Sequence, residues 1–180
     1  MRKNGINCQL RPIEGGICAP EGFKAGGVSS GIKCDDEIDM AMIVAERKCR
    51  TACVYSQLST VGAPIPITKK HLNNGLAQAI LVNGGVANVF LPDGEKLADE
   101  ATRLVERYHN ISYDDVLIAS TGEIGKPLSY YNFERGVVAL RVHMGKERSF
   151  SKAATSALSS VNDRARDFHS RLIWVIFLVK

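Results

Sequence analysis

Apolar and polar positions along the chain fall into two patterns. Short continuous apolar runs end in small polar turns: Ala77 to Val82 leads into Asn83-Gly84-Gly85-Val86-Ala87-Asn88, and Val116 to Ala119 leads into Ser120-Thr121-Gly122. Runs of this length predict buried strands, and the glycines behind them predict tight turns. Elsewhere apolar residues recur at helical spacing. Leu97, Ala101, Leu104, Val105 and Tyr108 form one stripe behind Leu91-Pro92-Asp93-Gly94, where Asp93 is placed to cap a helix. Tyr130, Phe133, Val137, Leu140 and Met144 form a second stripe, with Ser129 as its cap. The Ala-rich stretch Ser151 to Ser160 reads as a third helix. From Gly15 to Lys33, paired glycines and Pro20 predict turns between short edge strands. The glycines there read as backbone necessities of a scaffold.

The turn Ser120-Thr121-Gly122 is where chemistry would be put. Ligands of α/β proteins collect beyond the carboxyl ends of strands, and a glycine lets its N–H point at a developing negative charge. The next helix, beginning after Ser129, would bring its positive amino end near the turn. On spacing alone, such a turn is more often only a turn. The histidines suggest no catalysis: His109 suits the electrostatics of a helix end, and His143 falls off its apolar stripe, on the surface. Asp99 and Arg103 form an i,i+4 pair on a solvated face.

Composition narrows the classes. With 180 residues, 45% of them hydrophobic and 23% charged, the chain suits one well-buried domain. The net charge of +4 comes from 23 basic and 19 acidic residues interleaved along the chain, without the Arg/Lys clusters and aromatics of a nucleic-acid footprint. Cys8, Cys18, Cys34, Cys49 and Cys53 are odd in number and irregularly spaced, as expected of reduced cytoplasmic thiols. Cys49 and Cys53 would share a face of a helix, but no second pair completes a metal site. The amino terminus reads as having no secretory leader, and no segment reads as membrane-spanning.

Four segments in order resemble one family. Ala119-Ser120-Thr121-Gly122-Glu123-Ile124-Gly125-Lys126-Pro127-Leu128 looks like the A-S-T-G-x-I-G-x-x-L segment of the bifunctional ornithine acetyltransferase/N-acetylglutamate synthase family of arginine biosynthesis. Ala19 to Gly27 with Gly31-Ile32-Lys33, then Cys53-Val54-Tyr55-Ser56 with Ala63-Pro64-Ile65, then Leu81 to Asn88, are similar to further motifs of that family, over about residues 16 to 160. The resemblance implies an α/β chain of αββα-type layering, with strands over 38 to 44 and 51 to 55. It implies that Thr121 and Gly122 form an oxyanion hole and that Ser159 and Ser160 stand where the family contacts substrate. Gly84 and Val86 replace the family's Ser and Asn, which removes polar groups beside the turn.

By the same resemblance, the activity would be acetyl transfer from N-acetylornithine to glutamate, with acetyl-CoA a second donor in bifunctional members and no metal or prosthetic group. The nucleophilic Thr, freed by self-cleavage, belongs to a β part in the family, and an αβ heterotetramer in the cytoplasm is the expected assembly, with no nucleic acid or membrane partner. Motif similarity stops at Ser160, so residues 1–160 read as the α-chain domain and 161–180 as an atypical basic and apolar tail. Ala154-Thr155 comes too early, and lacks the preceding family motif, to be the cleavage site. The apolar run Leu172 to Val179 is too short for a bilayer and reads either as a terminal strand or as a sticky segment foreign to the fold. A truncated, non-catalytic fragment that binds a partner is the alternative reading.

Overall fold

The computed structural model describes residues 14, 16–34, 36–56 and 58–158, and the backbone of 174–178. Its elements in chain order are β1 (Phe23–Val28), β2 (Met40–Val54), α1 (Pro64–His71), β3 (Leu76–Asn83), α2 (Gly94–His109), β4 (Val116–Ser120), α3 (Tyr130–Leu140), β5 (Met144–Gly145), α4 (Arg148–Leu158) and β6 (Trp174–Leu178). The sheet runs β4-β3-β2-β1-β5, with β6 pairing on β2. Only β3 and β4 are parallel among these pairs, and α2 supplies the crossover that a parallel pair requires.

The expected α/β layering holds, with helices on both faces of the sheet. Met40, Met42 and Val44 of β2 and Leu81 of β3 meet Leu104 and Val105 of α2 and Phe133, Val137 and Leu140 of α3 in the main core. On the opposite face Ala25 and Ala41 meet Ala154 and Ala157 of α4. Small residues let that helix come close: a side-chain carbon on Gly27 would overlap the Ala153 carbonyl. Phe133, wholly buried, anchors the larger core, and cutting it to alanine would cost about 3–5 kcal/mol.

The two strands expected over 38–44 and 51–55 are one. β2 is continuous from Met40 to Val54, with a register shift against β3 between Val44 and Cys49. Glu46, Arg47 and Lys48 lie exposed at that irregularity, where charge cannot remain inside the layers. Before it, residues on both faces of β2 are covered, so the period-two alternation of a half-buried strand is absent from the sequence. Cys49 and Cys53 lie on this strand and not on a helix. Burial pushes the Cys53 thiol upward, which makes it a poorer ligand and nucleophile. No cluster of three metal-ligating side chains occurs among the described residues, and no described helix is long and apolar enough to cross a membrane.

Other expectations change in detail. β1 is not an edge strand, because it pairs with β2 on one side and β5 on the other. Asp93 precedes α2 without a side-chain capping bond, whereas Ser129 Oγ accepts from Asn132 N at 3.3 Å and caps α3. The second stripe is shorter than expected, since α3 ends at Leu140, Met144 belongs to β5 and Tyr130 is exposed. His109 is tied to the neighbouring helix, its Nε2 donating to the Val137 carbonyl at 2.9 Å. Burial holds its pKa below the ordinary value of 6.5, so it does not serve as a cation at the helix end.

Two outcomes follow for stability. Lowering pH through the ordinary histidine range protonates His109 in the unfolded chain before the folded one, so it favours unfolding. Melting curves should therefore show a smaller loss between about pH 7 and 5 for His109→Gln than for the unchanged chain. Deleting residues 171–180 removes the strand on β2 and should lower the melting temperature by about 5 °C, and an unchanged melting temperature would mean that β6 adds nothing.

Candidate active site

The site is built where β3 and β4 end side by side. Asn83 and Ser120 are partners in register, and the pairing does not stop there. Thr121 N donates to the Asn83 carbonyl at 2.9 Å, Glu123 N to the Gly85 carbonyl at 3.1 Å, Ala87 N to the Glu123 carbonyl at 2.9 Å and Gly125 N to the Val89 carbonyl at 3.2 Å. The two loops thus continue the ladder beyond the strands. Asn83, fully buried, locks the base of both: its Nδ2 donates to the Val86 carbonyl at 2.8 Å, and its Oδ1 accepts from Ser120 Oγ at 2.6 Å.

Strand parity decides which groups this leaves available. Successive residues of a strand direct their backbone N–H to opposite sides, so with Thr121 and Glu123 bonded toward the β3 loop, Gly122 N faces away from it. That side of β4 is partly covered by α1. Thr68 Oγ1 donates to the Ile118 carbonyl at 2.7 Å and accepts from its N at 3.0 Å, and His71 Nδ1 donates to the Val116 carbonyl at 2.8 Å. Among the described residues, no α1 side chain hydrogen-bonds to β4 beyond Ile118. The Gly122 N–H and the Thr121 hydroxyl have no hydrogen-bond partner among the described residues.

Gly122 is required by its surroundings. Its φ is +135°, and an added side-chain carbon would overlap the Gly85 carbonyl carbon and stand 2.5 Å from Val86 N. Gly84 answers a similar demand, because a side chain there would overlap the Ala157 carbonyl at the end of α4. That contact gives a physical reason for the lost Ser, and Val86, with its side chain in the main core, gives one for the lost Asn. Both positions are buried.

The α3 amino end follows the turn in the chain. Residues 122–129 separate the two, and Asn132 Nδ2 donates to the Ser30 carbonyl at 3.0 Å, fixing that end over the loop after β1. Ser159 and Ser160 lie outside the described residues, immediately beyond α4 in sequence. Sequence reasoning missed Thr68 and His71, which carry no signal except a polar pair at i,i+3 on α1. Beside the two loops, Leu91, Pro92, Gly94, Leu97, Pro127 and Leu128 line a cavity of about 160 Å³. That is below the roughly 300 Å³ at which small-molecule sites begin. Chemically the turn offers donors for a negatively charged oxygen. Its charged neighbours Glu123 and Lys126 pair with each other at 3.4 Å.

Comparison with known proteins agrees with this architecture. The chain is 37% identical over 150 residues to the arginine biosynthesis bifunctional protein ArgJ of Gloeobacter violaceus, covering 82% of this chain and 37% of that protein. It is 31% identical over 159 residues to the glutamate N-acetyltransferase of Methanocaldococcus jannaschii, covering 88% of this chain and 38% of that one. The chain therefore spans somewhat over a third of the length of these relatives. Among solved structures, the arginine biosynthesis bifunctional protein ArgJ of Bacillus halodurans superposes with a TM-score of 0.77 at 25% identity, over 83% of this chain and 78% of that one. The ornithine acetyltransferase of Mycobacterium tuberculosis, solved with ornithine, also gives 0.77 at 22% identity, a likeness of fold, over 91% of this chain and 90% of that one. The ArgJ family model matches residues 24–170, ten residues past the last similar motif, and the chain belongs to the ArgJ family.

Proposed function

We propose that this chain is the α part of a glutamate N-acetyltransferase of ornithine acetyltransferase type, stabilising the oxyanion of acyl transfer while a threonine on a β part attacks. The observation that carries this reading is the pair of donors at the end of β4. The Thr121 hydroxyl and Gly122 N–H are held by a rigid ladder of backbone bonds and satisfied by no described residue. The matched extents support a divided enzyme: this chain covers 37% of the Gloeobacter protein but 90% of the chain in the Mycobacterium structure.

In this reaction the threonine hydroxyl of the β part adds to the acetyl carbonyl of N-acetylornithine, its proton passing to the threonine's own α-amino group. The carbonyl oxygen takes the negative charge and is met by Thr121 and Gly122. Collapse restores the carbonyl, expels the ornithine amine with the proton and leaves acetyl on the threonine. Glutamate's amine then adds to that ester, passes through a second oxyanion and leaves as N-acetylglutamate, restoring the threonine. Acetyl-CoA enters the same route as an alternative donor. No metal or prosthetic group takes part. Ser159 and Ser160 are the hydroxyls assigned to the substrate, and the assembly is an αβ heterotetramer in the cytoplasm.

Fixed donors aimed at a developing oxyanion are worth about 3 kcal/mol each. Thr121→Ala in an enzyme assembled with its β part should thus lower turnover about a hundredfold while leaving the fold intact. Ser120→Ala is the control. Its Oγ donates to the buried Asn83, so its loss should lower stability by about 1–3 kcal/mol and affect turnover far less. Steady-state kinetics and urea unfolding of both variants check this, and near-normal turnover of Thr121→Ala would remove the oxyanion assignment.

A further inference from the structure

Behind the Gly122 turn lies a second layer of contacts. Gly122 packs on the Gly85 backbone, and Gly84-Gly85 packs in turn on Lys33: a side-chain carbon on Gly85 would stand 2.9 Å from Lys33 Cγ, and one on Gly84 3.3 Å from Lys33 Cε. The Lys33 stem, with Ile32, therefore bounds the volume that a side chain at 85 would fill, and it borders the space at 84 that the Ala157 carbonyl occupies. Its ammonium donates to the Ile38 carbonyl at 3.2 Å and to the Ala157 carbonyl at 3.4 Å, which ties it to the last turn of α4. A cation there also suits the negative end of the helix.

The backbone of Lys33 is fixed as firmly as its side chain. Asp39, fully buried, accepts from Ser30 N at 2.6 Å through Oδ1, and from Ile32 N at 2.7 Å and Lys33 N at 3.0 Å through Oδ2. The Asp39 carbonyl accepts from Gly84 N at 2.7 Å. One residue thus holds both the loop that carries Lys33 and the loop on which its stem rests.

From this arrangement we infer that Lys33 is a positioning residue with two separable roles. Its stem backs the Gly84-Gly85 peptide and so sets where Gly122 N–H points, and its ammonium holds the end of α4, from which Ser159 and Ser160 follow. The catalytic consequence rests on the oxyanion reading above, whereas the geometric one does not. Lys33→Met keeps a stem and removes the charge. Lys33→Ala removes both.

Amide NMR of the 180-residue chain reads the geometry without any activity. Lys33→Met should leave the Gly85 and Gly122 signals in place and speed hydrogen exchange of Ala157 and Leu158 about tenfold. Lys33→Ala should do the same to α4 and also displace the Gly85 and Gly122 signals. In an enzyme assembled with its β part, Lys33→Met should raise KM with turnover nearly kept, and Lys33→Ala should lower turnover about tenfold as well. A folded Lys33→Ala chain with an unmoved Gly122 signal would overturn the inference. So would equal displacement of Gly122 by both variants, or a Lys33→Ala chain that does not fold, which would make Lys33 a determinant of stability alone. If Thr121→Ala proved harmless while the amide shifts appeared as stated, the oxyanion reading would fall and the positioning of the turn would stand.

Discussion

The site depends on how closely two backbones approach. Gly122 lies against the Gly85 peptide at a distance that excludes any side chain, and this contact fixes the turn beyond β4 to the turn beyond β3. Backbone bonds from Thr121, Glu123, Ala87 and Gly125 extend the union over the length of both loops. Loops usually move more than the strands they join, but here the sheet's ladder runs on into them. The donors that face each other are occupied, whereas the Gly122 N–H and the Thr121 hydroxyl are satisfied by no described residue. A rigid turn that directs two polar groups away from its own fold requires no reorganisation when charge appears, and electrostatic stabilisation of a transition state has that requirement.

Much of the fold could be read from the sequence. The strands β3 and β4, the amphipathic α2 and the capped α3 follow from buried runs, helical stripes and Ser129, whereas the parallel pairing of the two strands does not. Asn83 could be read in part, because an asparagine beside two glycines suggests a loop held by its side chain. The long β2 could not be read, since burial on both faces erases alternation before the Glu46-Arg47-Lys48 irregularity. Nor could the cover of β4 by Thr68 and His71, or the support of Gly84-Gly85 by Lys33, because each joins segments 45 or more residues apart. His109 misled for a related reason: its position at the end of α2 suggested a cation, while burial against the neighbouring helix, where its Nε2 donates to the Val137 carbonyl, lowers its pKa.

The proposed division of roles between this chain and a β part rests on geometry at a sheet edge. Among the described residues β4 is the outermost strand on its side, and side chains of α1 hydrogen-bond to it at Val116 and Ile118. The donors without a described partner come directly after, beside a cavity of about 160 Å³. On the proposed function, the reacting group would come from another polypeptide segment laid against this edge. That requirement agrees with a chain that spans 37% of one curated relative's length.

The central claim is that this chain supplies charge stabilisation and not the attacking group. It is tested most directly by assaying acetyl transfer from N-acetylornithine to glutamate with the purified 180-residue chain, alone and after co-expression with the carboxyl-terminal part of the Gloeobacter violaceus relative. The account predicts no transfer by the chain alone and measurable turnover once the two parts are assembled. Robust transfer by the isolated chain would contradict it.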